Sequence, residues 1–274
     1  MSETRFHVPE AYTGERLAAE DPRFAPDMAR HLAAYHLVAP LVEGREVLEA
    51  GCGEGYGAGL LAASAARVVA VDYDAAALDL ARRRHSAPNL EFRAVDLLDL
   101  ARSAPGSFDA VTNFQVLEHL DDPAPFLRAA AACLRPRGRL ILTTPNREAS
   151  VSENPFHVRE YTAPELAELL RPHFETVLVR GIVGTERVYA FERARGEQAR
   201  RILRLDPLGV RHLLPQGLVR WAFARLALLV RSRVARGDRD LVRLETGDFS
   251  IATTEPPRWL DLLAVATRAG GGAC

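Results

Sequence analysis

The run Val47-Leu-Glu-Ala-Gly-Cys-Gly-Glu-Gly-Tyr-Gly57 constrains this chain more than any other segment. An apolar, β-branched lead-in meets an acid, Glu49, and glycines then recur at 51, 53, 55 and 57. The apolar stretch Leu60 to Ala63 follows. This order predicts a strand, a tight glycine turn and a helix start. Glycine is needed where backbone turns sharply or lies close to a ligand, and each one costs about 0.5–1 kcal/mol of backbone entropy. Four in one turn argue for a ligand rather than a bare connection. The helix N-terminus behind the turn offers unpaired N–H groups to that ligand.

A dinucleotide fingerprint would want Gly-x-Gly-x-x-Gly, with its third glycine where this chain has Tyr56. The spacing here is instead Gly51-x-Gly53-x-Gly55, with Glu49 two residues ahead. Arg67-Val-Val-Ala-Val-Asp72 predicts a buried strand that ends in a second acid. Asp72 lies about 20 residues past the turn, where doubly wound folds place the acid that bonds a ribose hydroxyl pair. A carboxylate can accept from both hydroxyls at once. Asp72 could alternatively cap the helix predicted over Ala75–Arg84, a role that also suits Asp74. Further strands are predicted over Leu90–Val95, which runs into Asp96-Leu97, and over Phe108–Phe114. Leu134-Arg-Pro-Arg-Gly138 reads as a helix end and turn before a fifth strand, Arg139–Thr144. Phe174–Gly184 and Trp259–Thr267 read as strands six and seven.

These ordered motifs resemble the class I S-adenosylmethionine methyltransferases. The resemblance runs over roughly residues 30–190 plus the last strand. It includes a Leu-x-Pro-Gly-Gly pattern to which Leu134–Gly138 is close. It implies an α/β, Rossmann-like doubly wound sheet, mostly parallel with an antiparallel last strand, plus a helical insertion between strands six and seven. It implies S-adenosyl-L-methionine as cofactor and S-adenosyl-L-homocysteine as product. Glu49 would lie near the methionine amino group, with Gly51, Cys52, Gly53 and Tyr56 in the same turn. Asp72 would hold the ribose, Tyr73 could pack on the adenine, and Asp96 and Leu97 would meet its edge. Asn113 and Phe114 at the end of strand four, and Tyr12 and Arg16 of an N-terminal arm, complete the expected cofactor set.

With 274 residues the chain can hold one α/β domain plus additions. The expected division is an N-terminal arm and lid helix over 1–40, a cofactor-binding core over 41–189, an insertion over 190–250, and a final strand and tail over 251–274. Pro26–Ala39 predicts an amphipathic helix that ends at Pro40. Tyr35 on that helix is a further candidate lid residue. The formal net charge of −1 gives no argument for nucleic acid. All 35 basic residues are arginine. Cys52, Cys133 and Cys274 are scattered, which argues against a disulfide framework or zinc ribbon. No leader-like segment or long apolar run is read, so a cytoplasmic enzyme is expected.

Candidate chemistry follows strands four and five. In Asn113-Phe-Gln-Val-Leu-Glu-His-Leu120, residues Gln115, Glu118 and His119 would share a face if a helical turn begins there. Asn154-Pro-Phe-His-Val-Arg-Glu-Tyr-Thr162 is a loop dense in functional side chains, and Thr162 with Glu165 has capping-box spacing. Glu118, His119 and His157 resemble the metal-holding pattern of methyltransferases that act on the 2′-hydroxyl of small RNAs. Gln115 stands where that pattern has an acid, which removes a charge from a hard-cation site. A divalent metal on Glu118, His119 and His157 is thus one expectation. The metal-free alternative has His119 or His157 as general base and Glu118 orienting an imidazole or an acceptor hydroxyl.

Thirteen arginines lie between Arg193 and Arg243, against four acids, Glu197, Asp206, Asp238 and Asp240. Leu218, Val219, Trp221, Phe223, Leu226, Leu229 and Val230 interleave with them. This segment could form a helical subdomain, bind an anionic acceptor, or rest on a membrane surface through residues 195–236. The 154–162 loop resembles those of bacterial methyltransferases in glycan and secondary-metabolite pathways. O-methylation of a sugar, glycan or other small-molecule hydroxyl is the resulting expectation. Methylation of an RNA-end ribose and a non-catalytic cofactor-binding module are the alternatives.

Overall fold

The computed structural model of the chain describes residues 21–103, 106–150, 154–203, 216–237, 243–252 and 258–270. It divides into two compact units: one takes in 1–33, 151–157 and 184–249, the other 34–150, 158–183 and 250–274.

The larger unit is a sheet flanked by helices. In chain order it contains the second half of α1 (Ala25–Val42), β1 (Glu46–Ala50), α2 (Tyr56–Ala62), β2 (Arg67–Asp72), α3 (Ala75–Arg84), β3 (Leu90–Ala94), α4 (Leu100–Ser103), β4 (Phe108–Phe114) and α5 (Pro123–Cys133). β5 (Leu134–Pro145), α6 (Ala163–Leu170), β6 (Thr176–Gly184), β7 (Phe249–Ala252) and β8 (Asp261–Thr267) complete the sheet. The strand order is β3-β2-β1-β4-β5-β8-β6-β7. β3-β2-β1-β4-β5 pair in parallel, and β8 runs antiparallel to both β5 and β6. The expected doubly wound sheet with an antiparallel last strand is therefore present.

Burial explains the strand sequences. β1, β2 and β4 are covered on both faces, so each is a near-continuous apolar run. β3 lies outermost and carries Glu91 and Arg93, which pair with each other at 2.7 Å; charged side chains on an outer strand discourage pairing with another chain. One face of the sheet meets a core formed by Leu48, Val111, Phe126, Leu127, Leu140, Leu142 and Leu166. Helix starts are capped as the sequence predicts. Asp74 accepts from Ala76 and Ala77 N–H at the start of α3, and Thr162 and Glu165 form a capping box on α6.

Four local expectations need correction. α1 runs through Pro40 to Val42 instead of ending there, since a proline in the last turn forfeits only the N–H bond to the residue four before it. Leu134–Gly138 is the start of β5, with a register shift opposite Phe108 and Ala110 and with Arg137 at φ 63. Arg137 therefore occupies a left-handed position that favours glycine. The last strand begins at Asp261, not Trp259. The Trp259 ring lies against Gly181, where an added Cβ would fall 1.9 Å from it. Finally, β7 was not anticipated; its four residues, Phe249–Ala252, give too short a pattern to stand out.

The smaller unit contains the first turns of α1 with α7 (Glu186–Leu203) and α8 (Gln216–Gly237). Asp27 organises it. Arg195 reaches Asp27 at 2.8 Å and Arg231 reaches it at 3.0 Å. The guanidinium of Arg231 also lies 4.4 Å over the Phe24 ring. Burial opposes ionisation of Asp27, yet the arginines prevail and bring its carboxyl down to about 2. Arginines 195 and 231 are thus used inside the unit, which reduces the basic surface expected of this insertion. On α8, Leu228, Val230 and Val234 are buried while Leu226 and Leu229 are exposed. Among the described residues, no helix is long and apolar enough to cross a membrane.

Candidate functional site

The strand order reverses between β1 and β4, since β2 lies on one side of β1 and β4 on the other. Open α/β sheets bind ligands beyond the carboxyl ends of the strands at such a point. The glycine turn leaves β1 there. Gly51, Gly53 and Gly55 have φ of 85°, 53° and 81°, in the left-handed region that glycine enters without steric cost. Gly55 sits at the N-terminus of α2 and makes no side-chain cap.

Glu49 is buried to 1 % exposure at this point. Its Oε1 accepts from Tyr35 Oη at 2.6 Å. Its Oε2 is buried and has no hydrogen-bond partner among the described residues. Burial, reinforced by the nearby Asp72 carboxylate and opposed by the Tyr35 bond, pushes the Glu49 carboxyl up to about 8. Asn113 Nδ2 donates to the Ala50 carbonyl at 2.8 Å, while its Oδ1 is likewise buried without a partner. The orphaned atoms at the ends of β1 and β4 are thus acceptors. An ammonium-bearing ligand supplies donors and positive charge, so this pair of acceptors fits the methionine end of S-adenosylmethionine.

The ribose end fits as well. Asp72 Oδ2 accepts from Gly53 N–H at 2.8 Å and Oδ1 from Asp74 N–H at 2.9 Å. A carboxylate has roughly four acceptor sites, so these bonds aim Asp72 at the turn without exhausting it. Tyr73 beside it is 75 % exposed and presents its ring. Asp96 is exposed and caps the short turn Leu97–Asp99 by accepting from Leu98 N–H. Leu97 packs partly against the core. Cys52 is buried in the turn, consistent with a packing role. Tyr56 starts α2, and burial with the Glu49 charge raises its hydroxyl pKa. Phe114 packs on Tyr35 with ring centroids 4.5 Å apart. Tyr12 and Arg16 lie outside the described residues.

Tyr35 is buried, a core residue at 5 % exposure. The residues themselves hold a faint signal of this: an aromatic on a helix face and an extra glycine, Gly57, opposite it. An added Cβ on Gly57 would fall 1.9 Å from the Tyr35 ring.

The second cluster sits on the turn after β4. Gln115 has φ 55, so no helical turn begins there and it does not share a face with Glu118 and His119 as expected. Its N–H donates to the Thr143 carbonyl at 2.9 Å and its side chain reaches Thr143 Oγ1 at 3.4 Å. A 3-10 turn instead covers Leu117–His119. Glu118 is 1 % exposed and accepts from Thr144 Oγ1 at 2.9 Å, and His119 Nε2 lies 4.0 Å from Glu118 Oε1. The Glu118 carbonyl accepts from Val158 and Arg159 N–H at 2.8 and 3.2 Å. The end of the 154–162 loop is thereby tied to this turn. His157 belongs to the smaller unit, where its Nε2 lies 2.8 Å from Asn154 Nδ2. An amide nitrogen only donates, so Nε2 accepts and the ring proton is assigned to Nδ1.

The two clusters meet at one contact. A Cβ on Gly51 would fall 2.7 Å from Val116 Cγ2. The turn that carries Glu118 and His119 therefore lies directly on the glycine turn.

Comparison with known proteins agrees with this geometry. A family model described as a methyltransferase domain matches residues 48–142. A probable S-adenosylmethionine-dependent methyltransferase of Mycobacterium tuberculosis is 47 % identical over 146 residues, which are 52 % of each chain. A ubiquinone biosynthesis O-methyltransferase of Xanthomonas campestris is 41 % identical over 106 residues, 38 % of this chain and 44 % of that one. The chain spans about half the length of these curated relatives. Among solved structures, a Thermotoga maritima S-adenosylmethionine-dependent methyltransferase, described as a possible histamine N-methyltransferase, superposes with a TM-score of 0.60 at 17 % identity. That superposition covers 93 % of this chain and 98 % of the other. The [4+2]-cyclase SpnF shares the fold with a TM-score of 0.53 at 20 % identity, covering 89 % of this chain and 82 % of its own. Residues 48–142 thus match a methyltransferase domain, and the sheet around them has the fold of S-adenosylmethionine-dependent methyltransferases of known structure.

Proposed function

We propose that this protein transfers a methyl group from S-adenosylmethionine to a hydroxyl of a sugar, glycan or other small molecule. The observation that carries the reading is the contact of the Val116–His119 turn with the glycine turn at Gly51. It puts a carboxylate and an imidazole next to the expected cofactor site.

When bound, the cofactor supplies an electrophilic methyl on a sulfonium, and transfer to an alcohol forms a C–O bond as the C–S bond breaks. In-line displacement depends on orientation. Glu49 and Asn113 would take the amino end and Asp72 the ribose, which fixes the direction of approach. An alcohol is a poor nucleophile until its proton leaves. His119 is suited to take that proton near neutral pH. Buried Glu118, held by Thr144, would orient the imidazole and balance the charge it gains. His157, whose Nε2 already accepts from Asn154, is assigned to acceptor binding before proton transfer. The ubiquinone biosynthesis O-methyltransferase named above supports a hydroxyl acceptor.

A metal-assisted reading, with an RNA-end ribose as acceptor, draws on the nearness of Glu118 and His119. A carboxylate and imidazoles could hold a divalent ion. Cytoplasmic location and contact with a membrane surface through residues 195–236 belong to the proposal as well.

The test is methyl transfer from labelled cofactor to a panel of sugars, phenols and short RNAs, with and without a chelator. Transfer to a sugar or small hydroxyl that survives chelation supports the main reading. Chelator-sensitive transfer to RNA ends replaces it with the second. Cofactor binding without transfer to any of them would leave a binding module.

A further inference from the structure

The segment that carries Tyr35 precedes the glycine turn in the chain, yet its hydroxyl ends on the acid of that turn. Tyr35 Oη donates to Glu49 Oε1 at 2.6 Å, and both side chains are buried. The Tyr35 ring fills the space that a side chain at position 57 would need. Phe114 lies 4.5 Å from the ring and Tyr56 meets it edge-on at 6.1 Å. Packed between a glycine and two aromatic rings, Tyr35 has one place to put its hydroxyl.

We infer that Tyr35 is a positioning residue for the cofactor: its hydroxyl occupies Oε1 of Glu49 and reserves Oε2 for an ammonium donor. This rests on the reading that the pocket takes S-adenosylmethionine. Two features of the surroundings make the hydroxyl matter. Oε2 is buried with no partner among the described residues, so the carboxylate has one satisfied and one waiting oxygen. The titratable groups felt at this site are Tyr35, Tyr56, Asp72, Cys52 and Glu54, and none of them is a cation. Arg84, the nearby base, is paired with Glu54. A hydrogen bond to the charged form of an acid favours that form. Tyr35 thus opposes the burial that keeps Glu49 protonated, and a cationic ligand completes the ionisation that Tyr35 begins.

Tyr35→Phe keeps the ring and removes the hydroxyl. Two readouts follow, each compared with wild type. The first is the carboxyl carbon titration of Glu49 in protein without cofactor, identified by its absence in Glu49→Gln. The second is the calorimetric affinity for S-adenosylmethionine across pH 6 to 9, a window set by the titration of about 8. The variant is expected to titrate higher and to bind about tenfold or more weakly at neutral pH, as loss of a bond to a charged group requires. Its affinity should recover as pH rises further than wild type needs. In a Glu49→Gln background the same substitution should change affinity little. A variant that only melts earlier, with unchanged titration and affinity, overturns the role. Wild-type protein that binds no cofactor at any pH overturns the cofactor reading and the role with it, whereas wild-type binding with an unshifted variant overturns the role alone.

Discussion

Thr144, at the end of β5, donates its hydroxyl to Glu118, on the turn after β4, at 2.9 Å. Both residues are buried, and the bond joins neighbouring strand ends beneath the candidate site. A buried acceptor that loses its donor costs about 1–3 kcal/mol. Thr144→Val keeps the shape and removes the donor. Urea unfolding should show destabilisation of that size; coincident curves would mean that the bond contributes nothing.

The two histidines should separate kinetically. Removing a general base costs about 10²–10⁴ in rate. With an acceptor in hand, His119→Ala should lose turnover on that scale, with cofactor affinity unchanged. His157→Ala should also spare cofactor affinity and lower turnover, with a rise in the KM for the acceptor. Normal turnover in either variant removes that histidine from the mechanism.

Glu49 makes the empty protein sensitive to alkali. Its carboxyl is raised from 4.5 to about 8 in the fold. Between these values the folded state holds a proton that the unfolded chain has lost, so stability falls as pH rises through this window. Full stabilisation from this group is present below about 4.5. Glu49→Gln should flatten the decline between pH 5 and 8 in thermal melts, while weakening cofactor binding to a level that calorimetry still reads. A wild-type melting temperature that does not fall over this range, relative to the variant, would contradict the burial argument.

Asp27 has the opposite sign. Its carboxyl is lowered from 3.8 to about 2 by Arg231 and Arg195. The stability it provides is present above about 4 and lost as pH falls toward 2. Asp27→Asn removes the charge that Arg195 and Arg231 share, while Arg195 keeps Glu192 at 2.7 Å, and should destabilise the smaller unit by about 1.5–3 kcal/mol, the worth of hydrogen bonds to a charged group. Limited proteolysis of residues 184–249 at neutral pH should report it, and equal resistance in the two proteins would refute it.

Much of the sheet could be read from the chain because buried parallel strands are continuous apolar runs. Arg67–Asp72 and Phe108–Phe114 appear with their expected ends. Asp72 was legible for the same reason, since it terminates such a run. What lay hidden were pairings set by three-dimensional packing. Tyr35 carries no local sign that it will meet Glu49, and only Gly57 hints that a ring needs room. Arg195 and Arg231 look like their neighbours on a basic surface until Asp27 claims them. Gln115 looked helical by spacing, but its N–H is held by Thr143 and its backbone turns left-handed.

The place of β8 has a consequence for how the molecule is made. β5 and β6 do not touch each other in the sheet; residues 261–267 run between them. During synthesis, β5 and β6 leave the ribosome long before the strand that must join them. The intervening helices therefore emerge while the sheet still has an open edge. Such late, long-range pairing slows folding, because distant segments must find each other before any contact repays the loop closure. The nascent chain would spend that interval with the apolar edge of β5 exposed, a stage at which chaperone binding or a pause in translation would bear most on yield.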